Sequence, residues 1–162
     1  MATANKNLSE FPLEKFQNCA DFRIGIVVSD WNQHITDQLL AGALSVLEQV
    51  GITAVLVKRV PGAFELPLAA QYLCKTQQVD GIVAIGVVIQ GETRHFDFVC
   101  AGTTNGIMDV MLTHNTPIGF CLLTDNTEQQ SLDRAGGKHG NKGIEATVAV
   151  LQQLQLLKEL AS

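Results

Sequence analysis

At 162 residues the chain is the length of one domain, long enough to bury a core but short for two independent ones. Its 46% hydrophobic and 17% charged residues, with a mean hydropathy of +0.17, exclude a disordered chain and suit a packed subunit whose surface is partly apolar and covered by sister subunits. A net charge of -5 and a pI near 5.2 remove the electrostatic basis for broad contact with nucleic acid or an anionic membrane, so any anion must be caught locally.

Residues 1–21 read as a polar N-terminal arm and 22–162 as the folded domain. The start, "MATANKNLSEFPLEKF", contains acids and lacks both the apolar core of a signal peptide and the Arg/Ser-rich pattern of a transit peptide, so a cytoplasmic location is expected. "FRIGIVVS" (22–29) predicts a strand buried on both faces. "HITDQLLAGALSVLEQVG" predicts a helix, with Ile35, Leu39, Ala43, Leu44, Leu47 and Val50 at helical spacing and Gly51 as its stop. "ITAVLVKRV" is a second strand, closed by the Pro61-Gly62 turn signal. "FELPLAAQYLCKT" follows as a short helix with an acid and a proline in its first turn, where both are tolerated.

"GIVAIGVVIQG" predicts the third strand and "HFDFVCAGTTNGIMDVMLTHN" its helix, since Phe96, Val99, Cys100, Thr103, Ile107, Val110 and Met111 fall on one face. "PIGFCLLT" is the fourth strand, "TEQQSLDRAGG" a short helix ending in glycines, and "NKGIEATVAVLQQLQLLKEL" a last helix capped by Asn141. No apolar run reaches the ~18 residues of a membrane span. Strand then helix, repeated four times, predicts an α/β three-layer sandwich: a four-stranded parallel sheet with helices on both faces. Such sheets bind ligands outside the carboxyl ends of their strands, here residues 29–33, 60–65, 89–95 and 123–127.

Two nucleotide signatures are absent: no two glycines stand two residues apart, and no Gly-Lys precedes Ser or Thr. Cys19, Cys74, Cys100 and Cys121 are widely spaced, with no Cys-x-x-Cys pair, and read as inert thiols of a reducing compartment; no metal site is expected. Between Lys75 and Arg134 the only basic side chain apart from histidine is Arg94, whereas Arg134, Lys138 and Lys142 crowd together in a glycine-rich stretch. That cluster is either a solvated face or a phosphate-catching loop.

At the end of the third strand, "IQGETRHFDFVC" sets Gly91, Glu92 and Thr93 where a helix begins, and free backbone amides at a helix start attract an anion such as a phosphate ester. An acid that merely complements the helix dipole is the other reading of Glu92. His95 stands within a turn of that anion, and an imidazole exchanges protons near neutral pH; catalysis, a cap and an interface contact all fit the residue type, and the position favours catalysis. His34, His114 and His139 lack that placement and are expected in solvent or at turns. Trp31, the only tryptophan, lies among polar residues just past the first strand and is read as a platform for a flat ligand rather than as interface packing. For Glu65, pattern alone favours a helix-start acid over a hydroxyl-binding carboxylate, and Phe120 alone counts as core.

"PGAFELP", "GVVIQGETRHFDFV" and "DRAGGKHGNKG", in this order on this four-unit pattern, closely resemble the lumazine synthase family over about residues 23–157. The resemblance implies a flavodoxin-like doubly wound fold and condensation of 5-amino-6-(D-ribitylamino)uracil with 3,4-dihydroxy-2-butanone 4-phosphate, without cofactor or metal. By that resemblance Trp31 stacks on the pyrimidine, Ala63, Phe64 and Glu65 border the ribityl chain, and Val87, Val88 and Ile89 contact the rings. Glu92 and Thr93 hold the phosphate, with Arg134 as counter-charge and His95 as the proton-transfer residue. Phe120, Arg134, Lys138 and Lys142 are implied to enter from a neighbouring subunit. Pentamers are implied, with the uninterrupted "AGGKHGNKG" connection going with closed icosahedral shells, and riboflavin synthase is a candidate partner.

Overall fold

The computed structural model describes residues 7, 9–16, 18–76 and 79–161. Four strands, β1 (Ile24–Ser29), β2 (Val55–Val60), β3 (Gly81–Ile89) and β4 (Ile118–Asp125), form a parallel sheet in the order β2-β1-β3-β4. The central pair explains the unbroken apolar runs, because β1 and most of β3 are buried on both faces. At the β2 edge, Lys58 and Arg59 reach solvent.

Helices α1 (Gln33–Gln49) and α5 (Lys142–Ala161) cover one face, and α2 (Leu66–Thr76) and α3 (His95–His114) the other. Strand parity divides the core between them. Ile24, Ile26, Val28, Val83, Ile85 and Val87 join the cluster under α1 and α5, while Val27, Ile82 and Ala84 join the one under α2 and α3. The expected three-layer α/β sandwich is therefore present.

The helix ends follow the residues predicted to set them. Gly51, at φ 77, ends α1 with two bonds, its own amide to Glu48 O (3.0 Å) and the Ile52 amide to Leu47 O (2.9 Å), a turn that favours glycine. Asn141 opens α5 by accepting the Gly143 amide at 2.8 Å, as its predicted capping role requires. A Cβ added at Gly143 would lie 2.0 Å from Leu39 O of α1, so a bare backbone lets the two helices touch there.

Several details differ from the sequence reading. The helix expected across "TEQQSLDRAGG" is only α4 (Glu128–Leu132), and the glycines instead build a hairpin of β5 (Ala135–Gly137) and β6 (Gly140–Asn141). Gly136 (φ 116) and Gly140 (φ 81) adopt conformations that no helix contains. The second helix starts at Leu66, after a separate 3-10 turn over Ala63–Glu65. On α1, Leu44 is exposed and Val46 takes its place inside. On α3 only Thr103, Ile107 and Val110 are buried, whereas Phe96, Val99, Cys100 and Met111 are half-buried and Phe98, Met108 and Leu112 are exposed.

Residues 1–6, 8 and 17 of the expected arm lie outside the described residues. Its later part packs on its own chain: Phe16 and Cys19 belong to the core, Ser9 Oγ accepts the Asn141 amide at 3.0 Å, and Lys158 Nζ donates to Asn18 O and sits 4.2 Å from the Phe22 ring centre. Burial raises all four thiols above the ordinary cysteine range, Cys121 to about 12, which leaves them poor nucleophiles. Among the described residues no helix is long and apolar enough to cross a membrane.

Candidate active site

The segment after β1 is tied to strands on either side. The Asp30 amide donates to Val60 O (2.8 Å) and the Trp31 amide to Pro61 O (3.2 Å), both at the end of β2. Asn32 takes the left-handed conformation (φ 58, ψ 43) and its Nδ2 donates to Val87 O of β3 at 3.3 Å. Arg59 of β2 reaches Asp30 through Nη1 (3.2 Å) and Asp37 of α1 through Nη2. Between these anchors the Trp31 side chain stands 71% exposed at the rim.

Beside it, the turn Ala63–Glu65 is held from α3 by Thr103 Oγ1, which donates to Ala63 O at 3.2 Å. Glu65 Oε2 accepts the Gly62 amide at 2.9 Å, so the helix-start role favoured by pattern is present. Phe64, 61% exposed, lies over Gly102, where an added Cβ would meet its ring at 2.7 Å. Val87 is buried, while Val88 and Ile89 are half-buried at the end of β3.

Beyond Ile89 the chain turns before α3 begins at His95, so this histidine is the first helical residue. Its backbone amide donates to Thr93 Oγ1 at 3.3 Å, and the side chains of Glu92, Thr93 and His95 are all exposed. A Cβ at Gly91 would meet nothing within 4 Å, and no positive φ demands glycine there. Internal packing therefore does not require the glycine, and the space is open to a close approach from outside.

The three basic residues are each engaged within the chain. Arg134 Nη1 donates to Gln130 O (2.8 Å) and lies 3.9 Å from Asp125 Oδ1 at the end of β4. Lys142 pairs with Glu145 at 2.8 Å and Lys138 with Asp133 at 2.9 Å. Hydrogen bonds from Lys138 and Gln129 hold the Asp133 carboxyl below its usual range, so this tie is complete above ordinary carboxylate pH and is lost as pH falls through the lowered value. Phe120, expected as core, is a half-exposed residue of the β4 edge paired with Ala84. Ala84 is three residues short of Val87, which places Phe120 roughly 10 Å from the rim of its own chain at ~3.3 Å per residue.

His34 bonds Glu128 at 2.6 Å and His139 is exposed in the hairpin, as expected of histidines outside the site. His114 differs: its Nε2 is buried without a partner in the last turn of α3. Among the described residues no group of three or more His, Cys, Asp and Glu side chains could hold a metal ion. Two shallow concavities, about 300 and 420 Å3, lie at the far end of α1, around Leu44 and Ile52 and around Leu13 and Val50, away from the rim.

A model of the 6,7-dimethyl-8-ribityllumazine synthase family matches residues 21–158. The chain belongs to this family. Proteins named 6,7-dimethyl-8-ribityllumazine synthase from Flavobacterium psychrophilum and Flavobacterium johnsoniae are 49% and 50% identical to it, each over 98% of this chain and 85% of their own. One from Parabacteroides distasonis is 46% identical over 95% of this chain and 98% of its own.

Against the sites expected for a lumazine synthase, the structure brings Trp31, the Ala63–Glu65 turn, the end of β3 and the start of α3 to one edge of the sheet. It leaves Phe120 away from that edge and Lys138 and Lys142 bound to acids. Asn32, Arg59 and Thr103 were not singled out as site residues from sequence, although each fixes a rim segment. Asp30 just before the lone tryptophan and Asp37 in the helix after it, in a chain with fewer basic than acidic residues, were the available signal for Arg59.

Proposed function

We propose that the chain condenses 5-amino-6-(D-ribitylamino)uracil with 3,4-dihydroxy-2-butanone 4-phosphate to 6,7-dimethyl-8-ribityllumazine, releasing phosphate and water. One observation carries this reading: an exposed indole, the Ala63–Glu65 turn with its carboxylate and an open helix start bearing an imidazole meet at one carboxyl edge of the sheet. Trp31 supplies the stacking surface for the pyrimidine, and Ala63, Phe64 and Glu65 border the ribityl chain. Val87, Val88 and Ile89 contact the rings. The phosphate sits on the amides of Glu92 and Thr93, while the Glu92 carboxylate turns to solvent.

The pyrimidine's own primary amine attacks the ketone and expels a first water to give an imine. Phosphate is eliminated to leave an enol that becomes a carbonyl, and the ribitylamino nitrogen closes the ring on that carbonyl with loss of a second water. The site contributes proximity, and His95 moves protons. No lysine nucleophile, cofactor or metal enters this scheme, and Lys138 and Lys142 act as charges.

Phe120, Arg134, Lys138 and Lys142 complete the site from a neighbouring copy, which accounts for the distance of Phe120 from its own rim and the exposed apolar residues of α3. In this reading residues 22–162 form the catalytic domain, 1–21 the arm, and the subunits form cytoplasmic pentamers that close into shells, with riboflavin synthase as a partner. Sedimentation showing only free pentamers would count against the shell.

Mixing the protein with both substrates tests the activity: lumazine and phosphate should appear together. Riboflavin formed from added lumazine, or ligand binding without turnover, would replace this reading by a riboflavin synthase or a carrier. His95→Ala should slow turnover about 10- to 100-fold and keep assembly intact. That lies at and below the low end for general acid–base catalysis, because the attacking amine needs no activation. Unchanged turnover would remove His95 from the scheme.

A further inference from the structure

We propose that Arg59 is a positioning residue for the pyrimidine substrate, clamping the segment that carries Trp31; this rests on the reading of Trp31 as the stacking surface. An indole 71% exposed is not located by core packing, so its place is set by the residues on either side. On one flank Arg59 uses both arms of its guanidinium, Nη1 to Asp30 at 3.2 Å and Nη2 to Asp37, joining the edge strand, the residue before Trp31 and the second turn of α1. On the other flank Asn32 is fastened to the Val87 carbonyl. Asp30 and Trp31 also give their amides to Val60 O and Pro61 O, so three consecutive residues are tied to β2 and β3.

A single exposed ion pair does little, because solvent and salt screen it. Here the planar fork bonds two carboxylates on different elements, one from each terminal nitrogen, a geometry that an ammonium reproduces less well, and without it the charges of Asp30 and Asp37 would lose the cation they share. A platform fixed before binding loses less freedom when the ring stacks on it. The clamp therefore acts on pyrimidine affinity and leaves the ketose phosphate, bound at the start of α3, unaffected.

Trp31 is the only tryptophan, so its emission reports this segment directly in the full, assembled protein. Arg59→Gln should increase acrylamide quenching of Trp31 and weaken binding of 5-amino-6-(D-ribitylamino)uracil about fivefold or more, within the range of coupled neighbours. Binding of 3,4-dihydroxy-2-butanone 4-phosphate should not change, and Arg59→Lys should fall between. Asp37→Asn, which removes the charge from one limb without altering shape, should move both readings the same way by less. In a Trp31→Ala background, Arg59→Gln should add no further loss. Independent, multiplying losses from the two substitutions, or unchanged quenching in both Arg59→Gln and Asp37→Asn, would overturn the clamp while leaving the platform standing. Full pyrimidine affinity in Trp31→Ala alone would overturn both.

Discussion

Arg134→Ala should weaken the phosphorylated substrate about 10- to 150-fold, the loss of a hydrogen-bonded charge, and leave the pyrimidine's affinity near its original value. The chain carries a net charge of -5, so a phosphate ester gains nothing from the overall field and depends on a local cation. Arg134 is suited to that part. One Nη1 bond to Gln130 O steadies the guanidinium, while Asp125 stands at 3.9 Å, too far for a strong bond, so the remaining donors can turn to a ligand. Lys138 and Lys142 are held closer to their acids and would have to give up those contacts. Arg134→Lys should retain part of the affinity, because the charge stays and the two-pronged geometry goes. Separate titrations of the two substrates check this. Equal weakening of both would point instead to a failure of assembly.

Gly143→Ala should have the largest effect on stability of any single methyl group added at a glycine. The new carbon would lie 2.0 Å from Leu39 O, and a backbone oxygen cannot rotate away as a side chain does. The Asn141 cap sits at the same contact, 2.9 Å from the added carbon, so relief by shifting α5 would also disturb its start. Overpacking of this kind costs about 1–3 kcal/mol. At roughly 2–4 °C per kcal/mol for a chain of this size, thermal unfolding should move down by several degrees, measured by circular dichroism at fixed concentration. An unchanged midpoint would mean that α1 and α5 are free to move apart. By contrast, Gly91→Ala should leave unfolding untouched, since nothing lies within 4 Å of the added carbon.

What could be read from the sequence follows from the range of the interactions involved. The alternation of apolar strands and amphipathic helices is local, and so are the Gly51 stop, the Asn141 cap and the strand ends that gather the rim residues. The β5–β6 hairpin was hidden because its glycines match a helix stop as well as a tight turn, both of which take positive φ, and only the pairing of Ala135 with Asn141 and Gly137 with Gly140 separates the two. Arg59 and Thr103 act on partners 22 and 40 residues away, at Asp37 and Ala63, which no local pattern encodes. The exposed apolar residues of α3 blurred its inward face for a related reason, since the helix carries apolar side chains both toward the sheet and away from it.

The docked stretch ahead of β1 has a practical outcome for engineering. Ser9 is pinned beside the hairpin, whose Asn141 also holds Gln38 in α1, while Phe16 lies near Gln49 and Val50 at the opposite end of that helix. The polypeptide thus travels back along α1 from the rim end toward the base of the sheet. A tag or cargo joined just before residue 9 would leave the subunit on the side where the basic loop lies, and tether length rather than tag chemistry would decide whether it obstructs that loop.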